Sequence, residues 1–188
     1  MANLQGLRAA VVATDDFEEV ELTGPVKALR DVGAQVDIIA PHTGQLQAFV
    51  HDHPSITVAI DTTLDNANPN DYDLLVLPGG ALNADKIRMQ PKAQEFVRAF
   101  DQSGKPMAVI CHAPWALVSA GVLKGRTLTS YPTIQDDVRN AGADWVDREV
   151  VVDKNLVTSR RPDDLPAFNR EMLRVSSEYL ERHVPSAR

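Results

Sequence analysis

Short, almost wholly apolar runs alternate along this chain with stretches whose apolar residues recur every three or four positions. Buried parallel strands and amphipathic helices read this way when they take turns in an α/β domain. Residues 7–13 read as a buried first strand. The acidic stretch 15–21 then opens a helix, because carboxylates are stabilised at the positive end of the helix dipole. Gly24-Pro25 interrupts it: proline fits a first helical turn but not an interior, so the pattern predicts a break or kink before the helix resumes to Gly33. Gln35–Ala40 is the second strand, and the less regular region after Pro41 holds two short candidates, Gln45–Val50 and residues 56–60.

In the second half, residues 73–77 are nearly all apolar, as a strand covered on both faces should be, and they end in Pro78-Gly79-Gly80. Pro91 sits at a first helical position, and that helix stops at Gly104. Residues 106–110 form another buried strand that runs directly into Cys111-His112. A helix over 113–120 is closed by Gly121, Leu128 lies in a short strand, and 133–140 reads as helical. Residues 149–152 and Leu156–Ser159, joined by Asp153-Lys154-Asn155, predict a hairpin. The tail 162–183 is a long helix with apolar positions at Leu165, Phe168, Met172, Val175 and Tyr179. No linker or repeat interrupts the pattern, so residues 1–188 are expected to form a single domain.

Composition narrows the function classes. The chain is 44% hydrophobic and 24% charged, with a net charge of −7. That balance gives no support to nucleic acid as a structural partner. The pair Arg160-Arg161 is read as solvated or as holding a carboxylate. No apolar run approaches the roughly 20 residues of a bilayer span, so no membrane partner is expected. The N-terminal residues do not read as a signal peptide, and one cysteine makes neither an intrachain disulfide nor a cysteine-rich metal site. A reducing, cytoplasmic location is the expectation. His51-Asp52-His53 places two imidazoles on one strand face without further ligands, so surface histidines are expected there, with no metal and no cofactor.

Cys111 occupies a special position. Where a strand turns into a helix within a residue or two, the turning residue often takes a strained positive φ and presents its side chain at the carboxyl edge of the sheet. A thiol at a helix N-terminus is expected to have a depressed pKa and to exist largely as thiolate. The competing reading is a small buried hydrophobe. Pro78-Gly79-Gly80 ends a neighbouring strand, where Gly79 and Gly80, with the amide of His112, can aim N–H groups at a developing oxyanion. A plain tight turn is the alternative.

The segment Ala108-Val109-Ile110-Cys111-His112-Ala113-Pro114 resembles the nucleophile elbow of the PfpI-like intracellular protease family, within the superfamily of class I glutamine amidotransferase domains and the Parkinson-associated DJ proteins. Phe17-Glu18-Glu19-Val20-Glu21-Leu22, Leu75-Val76-Leu77-Pro78-Gly79-Gly80, Thr129-Ser130-Tyr131-Pro132 and Ser159-Arg160-Arg161-Pro162-Asp163-Asp164-Leu165 match too, in order along nearly the whole chain. The resemblance implies a flavodoxin-like three-layer α/β sandwich with a mostly parallel sheet plus a small β-hairpin. It also implies Cys111 as nucleophile, His112 as its partner, and Glu21 as a protonated acid beside the thiolate. Asp85 is the nearest match to the family's third acid, which comes from a neighbouring subunit; it is one methylene shorter and offset by about a residue. A homodimer or higher homo-oligomer follows. The implied activity is that of a cysteine-dependent stress-response hydrolase. Its substrates would be peptides, or small carbonyl compounds and glycated proteins in a glyoxalase- or deglycase-like reaction. The alternative is a non-enzymatic redox-sensing or chaperone-like stress protein using the same cysteine. Trp115 and Tyr131 are read as pocket-lining or packing aromatics. The late His183 lacks the glutamate two residues on that glutamine amidotransferases carry, so glutamine hydrolysis is not expected.

Overall fold

The structure, a computed structural model, describes residues 3–183. The chain opens with β1 (Arg8–Val12), β2 (Phe17–Glu18), α1 (Glu19–Asp31), β3 (Gln35–Ala40), β4 (Gln45–Val50), β5 (His53–Ala59), β6 (Thr62–Thr63) and β7 (Leu74–Leu77). It continues through α2 (Ala81–Arg88), α3 (Pro91–Ser103), β8 (Met107–Ile110), α4 (Pro114–Ala120), β9 (Thr127–Leu128) and α5 (Gln135–Asn140). Then come β10 (Asp144–Trp145), β11 (Val151–Asp153), β12 (Leu156–Ser159) and α6 (Leu165–His183).

Seven strands make the central sheet, in the order β11-β12-β8-β7-β1-β3-β6. Every pairing in it is parallel except β11 with β12. Alternation along β1 shows why the inner strands are apolar throughout. Ala9 and Val11 join the core under α1 and α6, with Leu22, Leu29, Phe168 and Met172. Ala10 and Val12 join the opposite core with Phe96, Val97, Phe100 and Leu117 of α3 and α4. Helices thus cover both faces of the sheet, which is the expected three-layer sandwich.

Two local expectations are refined, and one helix was not foreseen. The acidic stretch opens the helix only with its second half: residues 15–18 form a turn and β2, and α1 starts at Glu19 with Glu19 and Glu21 in its first turn. Pro25 lies inside α1 without ending it. An interior proline costs on the order of 3 kcal/mol locally, but Leu22, Val26 and Leu29 all bury on the same face, and that packing sustains the helix. Helix α2 has no counterpart in the sequence pattern, because only Asn83, Ala84 and Ile87 of its eight residues are buried and they give no apolar period.

The predicted hairpin exists with a shifted first strand, pairing Val151 with Thr158, and Lys154 turns at φ 55°. Its second strand, β12, is buried and parallel to β8, so the hairpin extends the main sheet. A separate sheet of β2, β4 and β5 stands at the carboxyl edge. At that edge the ends of β1, β7, β8 and β12 bring residues 13–16, 78–80, 111–112 and 160–161 together, as expected of open α/β sheets.

Candidate active site

Cys111 follows the last residue of β8 and holds φ at 65°. A left-handed conformation costs a non-glycine residue roughly 1–2 kcal/mol, so the surroundings must impose it. They do so through the backbone: Cys111 N–H donates to Ser159 O at 3.0 Å, and Cys111 O accepts from Tyr131 N–H at 2.7 Å. The next turn is closed by Ala113 N–H donating to Ile110 O at 3.1 Å. The elbow inferred from the sequence is present, with Cys111 6% exposed.

His112 does reach its neighbour. Its Nδ1 lies 3.2 Å from Cys111 Sγ, and its Nε2 lies 3.4 Å from Thr133 Oγ1. The ring stacks on Tyr131 at 4.5 Å and meets Trp115 at a tilt at 5.5 Å, so both aromatics flank the imidazole. Burial lowers the His112 pKa, which favours a neutral ring able to accept a proton.

Glu21, in the first turn of α1, is wholly buried, and neither carboxylate oxygen has a hydrogen-bond partner. Burial first, and the charge of Glu18 second, push its carboxyl up to about 8. The Cys111 thiol and the Gly79 N–H lie close enough to pull the other way without reaching hydrogen-bond geometry. At neutral pH this carboxyl is protonated.

The thiol differs from the depressed value that the helix-start argument predicts. Burial pushes the Cys111 thiol up, and the Glu21 charge, when present, pushes it further; the backbone N–H groups of Gly80 and His112 face the sulfur and oppose both. Helix α4 starts only at Pro114 and has seven residues, so its dipole is small and displaced from the sulfur.

The two glycines have different jobs. A Cβ on Gly79 would sit 2.2 Å from Glu21 Oε2 and 2.5 Å from Cys111 Cβ, so only glycine lets the acid and the elbow meet. Its N–H leans toward the Glu21 carboxyl rather than the sulfur. Gly80, at φ 87°, turns its N–H to the sulfur. The turn is held by Asn83, which the sequence reading missed: its amide donates to Pro78 O at 3.0 Å and Gly79 O at 2.9 Å, and its oxygen accepts from Thr14 N–H at 2.8 Å. A buried asparagine among short polar residues carries no period that would reveal it.

Asp85 lies on the exposed side of α2, outside the cavity around Cys111. That cavity has a volume of about 460 Å³ and is walled by Phe49, Gly80, Leu82, His112, Tyr131 and Arg161, among others. Asp16, Glu18, His51 and Asp163 also border it. A larger cavity, about 640 Å³, lies at the opposite edge of the sheet beside Pro106 and Asn155 and is lined by no cysteine. Among the described residues no three His, Cys, Asp or Glu side chains are arranged to hold a metal ion, and no helix is long and apolar enough to cross a membrane.

Residues 7–175 match the profile of the DJ-1/PfpI family. Deglycase PfpI of Pyrococcus furiosus is 44% identical over 169 residues, covering 90% of this chain and 99% of that protein. General stress protein 18 of Bacillus subtilis is 43% identical over 169 residues, covering 89% and 96%. The crystal structure of Drosophila melanogaster DJ-1beta superposes with a TM-score of 0.81 at 26% identity, over 97% of each chain. With the match running from β1 into α6 and the elbow where it falls, the chain belongs to the DJ-1/PfpI family.

Proposed function

We propose that the protein is a cysteine-dependent hydrolase of the stress response that acts on small carbonyl adducts in a deglycase- or glyoxalase-like reaction, with Cys111 as nucleophile. The observation that carries the reading is the contact between Cys111 Sγ and a neutral His112 Nδ1 at 3.2 Å, inside a cavity of about 460 Å³. A resting thiol whose pKa is raised must lose its proton before attack, and an adjacent imidazole that is neutral is the group to take it. The thiolate so formed faces the N–H groups of Gly80 and His112, with the protonated Glu21 beside it. These donors offset the charge that burial disfavours. Once sulfur has bonded to the carbonyl carbon, the same two N–H groups are the donors this scheme assigns to the charge that moves to oxygen. Gly79, turned toward Glu21, takes no part in that step.

The cavity volume favours a small adduct over an extended peptide, which needs a groove along several residues. The names deglycase PfpI and general stress protein 18 among the relatives agree with this chemistry and setting. Peptidase activity is the second reading, resting on the same Cys111–His112 pair. Asp85, outside the cavity of its own chain, enters this scheme only if a second copy presents it to a neighbour's site, which calls for a homodimer or a larger homo-oligomer.

The test is turnover of methylglyoxal adducts of a thiol and of an amine by the wild type, Cys111→Ala and His112→Ala. Loss of at least about 10³-fold in Cys111→Ala, and of about 10²-fold or more in His112→Ala, is expected. Turnover that survives Cys111→Ala sinks the assignment. A wild type that turns over no adduct, but protects cells from oxidants only with Cys111 intact, favours the redox-sensing alternative.

A further inference from the structure

Arg160 and Arg161 are adjacent and read alike in the sequence, yet the structure treats them differently. Arg160 is consumed by acids: it donates from Nε and Nη2 to Asp164 at 2.9 Å each, and from Nη1 to Asp147 at 2.8 Å. Arg161 extends from the end of β12 into the Cys111 cavity, and its Nε is buried without a hydrogen-bond partner. Among the described residues it makes no ion pair.

An unpaired guanidinium nitrogen in a cleft is expensive, and structures seldom keep one without a use. The acids bordering the same cavity do not supply the missing partner. Asp16 is paired with Lys86. The Glu18 carboxylate accepts from His51 N–H at 3.1 Å. Glu21 holds its proton at neutral pH. Asp163 stands exposed at the rim. Among the described residues that line the cavity, Arg161 is the one arginine or lysine. A guanidinium recognises planar oxyanions best, through parallel N–H groups that match the two oxygens of a carboxylate.

We propose that Arg161 is the anion-binding residue of the Cys111 cavity and selects substrates that carry a carboxylate near the reacting carbon. This deepens the reading of Cys111 as a nucleophile toward carbonyl adducts and rests on it for the identity of the substrate. In those terms the preferred substrates are adducts formed on free amino acids or on short compounds with a carboxylate, over adducts that are neutral at that position. Arg161 does not exchange protons with the reacting atoms; it determines which molecule is seated beside them.

Two alkylating reagents of nearly equal size test anion recognition without any turnover. Iodoacetate carries a carboxylate and iodoacetamide a neutral amide, and both consume the same Cys111 thiolate, so the ratio of their rates cancels its population. In Arg161→Met the iodoacetate-to-iodoacetamide ratio is expected to fall about tenfold from the wild-type value, and in Arg161→Lys to recover in part. A ratio unchanged in Arg161→Met, with the variant folded by circular dichroism, overturns the proposal. The substrate arm compares kcat/KM for the methylglyoxal adducts of N-acetylcysteine and of its amide. The preference for the carboxylate form should shrink about tenfold in the same variant. If the wild type turns over neither adduct while the alkylation ratio still falls, anion binding by Arg161 stands and the carbonyl-adduct reading fails.

Discussion

Replacing Glu21 with glutamine keeps the shape of the side chain and removes its titrating proton. The wild-type carboxyl is wholly buried with unpartnered oxygens, and its pKa is pushed from 4.5 to about 8. The sign follows from which state holds the proton. Between those two values the folded protein keeps a proton that the unfolded chain has lost, so stability falls as pH rises through the window and levels off above about 8. At about 1.36 kcal/mol for each pKa unit, the part of this loss lying between about pH 5.5 and pH 8 is roughly 3 kcal/mol. The Glu21→Gln protein lacks the effect, while the titrating groups not coupled to Glu21, all but the Cys111 thiol and Glu18 beside it, are shared and cancel in the comparison. Urea unfolding of both proteins at about pH 5.5 and pH 8.5 gives the four stabilities needed. The wild type should lose on the order of 3 kcal/mol more than Glu21→Gln across that interval. A wild-type-minus-variant difference that stays constant within about 0.5 kcal/mol would show that Glu21 ionises freely in the folded protein. The protonated acid beside Cys111 would then have to be abandoned.

Three further outcomes follow from local geometry. Cys111→Gly should be more stable than Cys111→Ala by roughly 1 kcal/mol in denaturant melts, reversing the usual order of these residues, because φ of 65° penalises any Cβ. Gly79→Ala should lower stability by about 3 kcal/mol or more, or yield no soluble protein, since the new methyl would stand 2.2 Å from Glu21 Oε2 and 2.5 Å from Cys111 Cβ. A Tm equal to that of the wild type would show that the elbow and α1 yield more readily than their packing implies. Arg160→Met should cost about 3 kcal/mol by chemical unfolding at neutral pH, because it leaves the buried Asp164 carboxylate without its main partner.

The sheet was legible because its strands are nearly continuous apolar runs, which only a strand covered on both faces tolerates. Residues 73–77 and 106–110 are cases, each landing within a residue of β7 and β8. Helix ends marked by Pro91, Gly104 and Gly121 were legible for a similar reason, since each of these residues suits a helix boundary: Pro91 opens α3, while Gly104 and Gly121 both cap helices with positive φ. Pro25 misled because its local cost is outweighed by burial of its helix face, a sum that no short window contains. Helix α2 was hidden for want of an apolar period.

Position along the chain sufficed to single out Cys111: a reactive side chain between a buried strand and a helix start must turn sharply, and the turn aims it at the sheet's carboxyl edge. What that thiol experiences was settled by residues far away in sequence. Glu21 arrives from α1, Gly80 from the end of β7, Tyr131 from the loop after β9, and Arg161 from the end of β12. Burial by those elements raises the thiol and the acid together, where the helix dipole alone argued for a lowered thiol. It also distinguishes Arg161 from Arg160, two identical side chains made different only by which acids the fold leaves within reach. Local sequence determines where the backbone must turn, because sterics act between neighbours. Charge states depend on desolvation and on fields from every nearby group, and only the tertiary structure assembles those.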